Sequence, residues 1–93
     1  MRLSLFEIDA IKQSVYGLDP DAQIFLFGSR ADDMKKGGDI DLLIISSLLT
    51  SSDKIKIKAS LFKKLEEQKI DITIAADTTK PFVRLALKNG VLL

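Results

Sequence analysis

The chain has 93 residues, with 14 lysines and arginines against 13 aspartates and glutamates, and it contains neither cysteine nor histidine. Disulfides, zinc sites with Cys or His ligands, and catalysis by a Ser-His-Asp or Cys-His arrangement are therefore excluded for this chain alone. Carboxylate, hydroxyl, ammonium and guanidinium groups remain. An enzyme limited to them would work best through a hard cation with oxygen ligands, such as Mg²⁺.

Size and charge further narrow the classes of protein to which the chain can belong. At 10.3 kDa the chain is expected to fold as one small domain over residues 1–93. A net charge of +1 favours neither DNA nor an anionic membrane as a partner, and no apolar stretch approaches the roughly 20 residues of a membrane span. Acidic residues interrupt the segment where a signal peptide needs its apolar run, so a cytoplasmic location is expected. The apolar content of 46% predicts one generous core, with leftover apolar surface for a partner as the alternative.

The first third of the chain predicts a helix followed by a strand. Ser4 and Glu7 form a capping box that opens the helix, and Gly17 closes it. The inward face of this helix is predicted from three apolar residues at helical spacing, Ile8, Ile11 and Val15. Residues 24–27 are a continuous apolar run, which is typical of a strand buried on both faces.

The middle of the chain repeats this alternation. Residues 29–36 predict a short helix ended by Gly37 and Gly38, and residues 39–45 predict a second strand. Several N-cap candidates at residues 50–53 then open a helix that is expected to run to about Gln68. The inward face of this third helix is predicted from five apolar residues, Ile55, Ala59, Leu61, Phe62 and Leu65.

The last third predicts a strand and a final helix. Ile70, Ile72 and Ile74 alternate with polar residues, which indicates a third strand. A helix is expected from Pro81 to about Gly90, followed by an apolar tail at residues 91–93. Its inward side chains are predicted to be Phe82, Leu85 and Ala86. The order α-β-α-β-α-β-α predicts an α/β (α+β) domain in which helices flank a short mixed β-sheet.

Two aspartates open the second strand. Side chains at positions i and i+2 of a strand share a face, so Asp39 and Asp41 would place two like charges together beside a dry interior. Without compensation each carboxylate raises the pKa of the other, and a bound divalent cation removes this repulsion. The alternative is that Asp39 closes a turn and Asp41 is an exposed residue near the strand end.

Asp71 opens the third strand. If this strand pairs with the second, Asp71 can share the face of Asp39 and Asp41, and three carboxylates could hold two metal ions about 4 Å apart, as in phosphoryl chemistry. The alternative is a polar residue on a half-exposed strand. Asp32 and Asp33 could supplement the site, although acids in the first turn of a helix need no such explanation.

Gly28 and Ser29 complement these acids. A glycine at a strand end followed by a serine at a helix start allows close backbone approach to a phosphate, and Arg30 is a fork-shaped phosphate donor. The alternative for Ser29 is an ordinary helix N-cap. The lysines from 54 to 69 are interpreted as the solvated face of the third helix, with contacts of some of them to nucleotide phosphates or to an RNA or protein partner as the alternative.

The stretch GSRADDMKKGGDIDLLI, followed by DITIA, resembles the minimal nucleotidyltransferases of the DNA polymerase β superfamily, the MNT proteins encoded beside HEPN-domain toxins. The resemblance implies a palm-like nucleotidyltransferase fold over nearly the whole chain. It implies that Gly28 and Ser29 bind the triphosphate of ATP, to which Arg30 is expected to contribute through its guanidinium group. It also implies that Asp39, Asp41 and Asp71 are the catalytic acids and bind two Mg²⁺ ions.

The same resemblance implies a partner and a reaction. Family members of this kind neutralise a HEPN ribonuclease toxin, by transferring AMP to one of its tyrosines, by binding it, or both, so a hetero-oligomer with the toxin is expected. A chain without histidine cannot supply the imidazole of such a ribonuclease, which places it on the antitoxin side. The alternatives are a non-catalytic antitoxin that binds stoichiometrically, and an enzyme adding nucleotides to RNA, against which the near-neutral charge counts.

Overall fold

The computed structural model describes residues 3–31, 39–65 and 69–93, and within them it contains three α-helices and four strands. The elements in chain order are α1 (Leu5–Tyr16), β1 (Gln23–Phe27), β2 (Ile40–Ile45), α2 (Ser51–Lys64), β3 (Ile70–Ala75), α3 (Pro81–Asn89) and β4 (Val91–Leu92). The predicted helix at residues 29–36 is a 3₁₀ turn at Gly28–Ala31 in its described part. The predicted ends of two helices, at Gly37, Gly38 and Gln68, lie outside the described residues.

The strands form one mixed sheet in the order β3-β2-β1-β4. Strand β1 pairs antiparallel with both β2 and β4, whereas β2 and β3 run parallel. Helix α2 makes the crossover that a parallel pair of strands requires. The predicted α/β class, with helices on a short mixed sheet, is confirmed.

One face of the sheet carries the main core under α1 and α2. The predicted face of α1 is confirmed at Ile11 and Val15, which are fully buried. The predicted face of α2 is wrong in part, because Ile55 and Phe62 are exposed. Helix α2 has two apolar stripes, and only the one at residues 57, 61 and 65 faces the sheet. Periodicity marks both stripes equally, so it could not choose between them.

The other face of the sheet is covered in part by α3. Val83 and Ala86 pack with Leu43 in a second, smaller core. The prediction for α3 is confirmed at Ala86 and wrong at Phe82 and Leu85, which are 51% and 62% exposed. This helix touches the sheet along Val83 and Ala86, three residues apart, which turns the neighbouring positions toward solvent.

The apolar tail predicted after α3 is a strand. Residues 91 and 92 pair with β1, and the backbone N–H of Leu93 donates to the carbonyl oxygen of Ile24 at 2.9 Å. Gly90 permits this return, because a Cβ there would lie 2.7 Å from the carbonyl oxygen of Ala86. The tail is therefore an edge of the sheet, although Leu92 remains exposed.

A buried polar pair joins the loop after α1 to the loop after β2. The hydroxyl of Ser46 donates to Oδ2 of Asp19 at 2.5 Å and accepts from the backbone N–H groups of Leu48 and Leu49, both at 3.1 Å. Both Asp19 and Ser46 are buried. The pair therefore ties together two loops that are far apart along the chain.

Replacing Ser46 by Ala is expected to lower the free energy of unfolding by about 2 kcal/mol, because a buried carboxylate oxygen and two N–H groups lose their partner. Urea denaturation of the purified protein measures this change. Ser47→Ala is the matched control, since Ser47 is exposed beside it. An equal effect of the two substitutions would contradict the assigned role.

Candidate catalytic site

Two aspartates lie side by side on the sheet. Asp41 of β2 is in register with Asp71 of β3, and neighbours in a parallel pair carry their side chains on the same face. The alternating residues Ile40, Ile70 and Ile72 enter the main core on the other face. The strand pairing on which the predicted acidic face depends is therefore confirmed, while the catalytic roles of these residues stay predictions.

The pKa of Asp41 reflects both burial and the like charges on this face. Burial, and then the carboxylates of Asp71 and Asp39, raise the pKa of Asp41 above its ordinary value, while Lys69 opposes them. Asp39 directly precedes β2, so it adds its charge at the end of the strand. A cation bound between these carboxylates would relieve their repulsion.

Lys69 belongs to this site and not to the solvated face of α2. Its Nζ lies 3.5 Å from Oδ2 of Asp39, and both side chains are largely exposed. Lys69 and Asp39 each directly precede one of two parallel strands, and the backbone N–H of Ile40 donates to the carbonyl oxygen of Lys69. The strand register thus places this cation beside the acids, a relation that the lysine spacing did not indicate.

Gly28 lies against the carboxylate of Asp41. Its φ of +73° is in the left-handed region that favours glycine, and a Cβ at this position would collide with Oδ2 of Asp41 and lie 3.3 Å from its Cγ. The sequence assigned this glycine to close approach of a phosphate. The structure adds a second reason, which is that Gly28 makes room for an acidic side chain of the site.

The two other predicted phosphate-binding residues follow Gly28 in the 3₁₀ turn. The backbones of Ser29 and Arg30 lie in this turn, directly after β1. Their roles toward a phosphate stay predictions. The supplementary acids Asp32 and Asp33 lie outside the described residues.

Two aromatic residues adjoin the acids, and the sequence analysis did not assign them to the site. Phe27 is the β1 partner of Asp41 in the antiparallel pair. The rings of Phe27 and Phe82 meet edge to face, with centroids 6.0 Å apart and an angle of 82° between the planes. A tertiary contact between β1 and α3 has no signal in a single sequence.

A family model described as "Polymerase beta, Nucleotidyltransferase" matches residues 11–93. The chain belongs to the polymerase beta nucleotidyltransferase family. This confirms the superfamily that the motif resembles and indicates nucleotidyl transfer as the general reaction. A search of curated proteins found no match.

The family typically uses a nucleoside triphosphate and a divalent metal ion. Within the described residues of this nucleotidyltransferase, no three acidic side chains are close enough together to form one metal-binding group. The donor chemistry nevertheless fits a hard cation, because the carboxylates of adjacent strands share a face and repel one another. No helix in the described part of the chain is long and apolar enough to cross a membrane.

Proposed function

We propose that this chain is a Mg²⁺-dependent nucleotidyltransferase that transfers AMP from ATP to the hydroxyl group of a tyrosine. The tyrosine belongs to a partner HEPN ribonuclease toxin, for which the chain thereby acts as the antitoxin. The observation that carries the transfer reaction is the placement of Asp41 beside Asp71, with Gly28 against the carboxylate of Asp41. The toxin as acceptor is supported by the resemblance of the Gly-Ser and Asp-x-Asp motif to the minimal nucleotidyltransferases.

The residues have distinct parts in this reaction. Asp39, Asp41 and Asp71 would hold Mg²⁺, which supplies positive charge for the phosphate oxygens and lowers the pKa of the attacking hydroxyl. The 3₁₀ turn after Gly28 positions the triphosphate. The exposed carboxylate of Asp71 accepts the proton of the hydroxyl as its oxygen approaches the α-phosphorus.

One bond forms and one breaks. The acceptor oxygen forms a bond to the α-phosphorus, and the bond from this phosphorus to the oxygen that bridges to the β-phosphorus breaks. Pyrophosphate leaves with the bonding electron pair, and AMP stays on the acceptor as a phosphodiester. The protein contributes by holding the reactants in line and by neutralising charge.

Label transfer tests this proposal. The purified chain, the partner toxin, Mg²⁺ and ATP labelled at the α-phosphate are expected to yield labelled toxin, whereas label at the γ-phosphate is expected to stay in solution. ATP binding and complex formation are measured in the same samples. If both are intact and no α-label reaches the toxin, the enzymatic proposal is wrong. Label on added RNA in place of the toxin would identify a different acceptor.

A second candidate is a non-catalytic antitoxin that neutralises its toxin by stoichiometric binding. This candidate is favoured by exposed apolar side chains on the outer surfaces of α1 and α2, which are Leu5, Phe6, Ile55 and Phe62. The two candidates differ in whether the acids are needed for neutralisation.

A further inference from the structure

The ring of Phe82 is held in place at one edge and open to solvent on much of its surface. Its contact with Phe27 is edge to face at 6.0 Å, while 51% of the residue remains exposed. An exposed phenylalanine that is oriented by a neighbour presents a flat apolar surface with little freedom left to lose. Such a surface is suited to stacking on another ring.

This ring is connected to the acidic face through Phe27. Phe27, which Phe82 touches, is the cross-strand partner of Asp41, and Gly28 follows Phe27 directly. Partners in an antiparallel pair have Cα atoms only about 5 Å apart. A nucleotide whose phosphates lie at Gly28 and Asp41 would therefore have its base within reach of α3.

We propose that the exposed surface of Phe82 is the stacking platform for the base of the bound nucleotide, which makes the preferred substrate class a purine nucleoside triphosphate. This inference rests on the proposed nucleotidyl transfer and concerns the same site. Stacking uses the π-face that every base has, and the larger purine rings gain more from it than pyrimidines do. Continuity with the acidic face singles out a base as the occupant of this surface.

Two other exposed apolar residues provide matched controls. Leu85 lies one turn further along α3, is 62% exposed and has no ring. Phe62 is a similarly exposed phenylalanine, but it lies on α2, which packs on the opposite face of the sheet. A general effect of losing apolar surface would appear at these positions as well as at Phe82.

Calorimetric titration of the chain in Mg²⁺ with ATP, CTP and inorganic tripolyphosphate separates base binding from phosphate binding. Phe82→Leu keeps an apolar contact with Phe27 but removes the ring, and it is expected to weaken ATP binding about tenfold while leaving tripolyphosphate binding unchanged. Phe82→Trp is expected to restore ATP binding. Phe62→Leu and Leu85→Ala are expected to bind ATP as the wild-type chain does.

The following results would overturn the inference. Unchanged ATP affinity in Phe82→Leu, or equal losses for ATP and tripolyphosphate, would show that no base stacks on this ring. Equal affinity of the wild-type chain for ATP and CTP would contradict the purine preference. Loss of acceptor binding alone would assign Phe82 to the partner. If the wild-type chain binds tripolyphosphate but shows no preference for ATP over CTP, this inference is wrong while the proposed function still stands. If it binds neither, the proposed function fails with it.

Discussion

Replacing Asp41 by Asn is expected to reduce label transfer from ATP at least about a hundredfold while leaving the domain folded. Asn keeps the size of the side chain but removes one of two carboxylates that lie side by side on adjacent strands. The remaining acids then hold a cation less tightly, and the charge on the triphosphate is neutralised less completely. Initial rates of α-label transfer to the proposed toxin partner measure the loss.

The same variant is expected to be more stable than the wild-type chain at neutral pH. Burial and the neighbouring acids raise the pKa of Asp41 in the folded state, so the folded chain binds its proton more tightly than the unfolded chain does. Stability therefore falls as the pH rises through values just above 3.8, and Asn escapes this loss. Thermal unfolding should show a melting temperature a few degrees higher at pH 7, with no difference well below pH 3.8.

Asp9→Asn is the control for both measurements, because Asp9 is exposed on α1, which packs on the other face of the sheet. It is expected to change neither the transfer rate nor the pH dependence of unfolding. Transfer within a few-fold of wild type in Asp41→Asn would contradict the catalytic role. If the variant also protects cells from the toxin as well as the wild-type chain does, the antitoxin acts by binding alone.

Replacing Gly28 by Ala is expected to reduce label transfer strongly and stability modestly. The left-handed backbone at φ +73° costs about 1–2 kcal/mol for a residue with a Cβ. The new Cβ also collides with the carboxylate of Asp41. A side-chain end can rotate away at little cost in free energy, but this rotation moves the carboxylate out of the site.

A double-mutant cycle separates these two effects. In an Asp41→Ala background the collision is absent, so adding Gly28→Ala should cost stability through the backbone alone and should lower transfer no further. Urea unfolding and α-label transfer are measured for all four proteins. Wild-type transfer in Gly28→Ala, or equal added losses of transfer in both backgrounds, would contradict the coupling between Gly28 and Asp41.

The sequence predicted those parts of the fold that depend on local patterns. A capping box marked the start of α1, N-cap candidates marked the start of α2, and apolar runs marked β1 and β2. The shared face of Asp41 and Asp71 followed from alternation together with one assumption, that two strands joined by a helix are neighbours. The common face of these acids could therefore be predicted from the sequence alone.

The rest depends on tertiary contacts that local patterns do not encode. The two apolar stripes of α2 are equivalent until the sheet is present, and the two-residue strand β4 is too short to show an alternation. Lys69 joins the site through the register of β2 and β3, and Phe82 joins it through a contact with Phe27. These residues were missed because their surroundings come from distant parts of the chain.

The crossover between β2 and β3 also has a consequence for the order of folding. Strands β1 and β2 are consecutive along the chain, so Gly28 can meet Asp41 when only these two strands have paired. Asp71 joins them only after α2 has closed a loop of 29 intervening residues. Pairing across such a long connection costs more loop-closure entropy than pairing of consecutive strands. A partly folded chain that has only the first strand pair lacks the third acid, so the three predicted acids come together only in the finished domain.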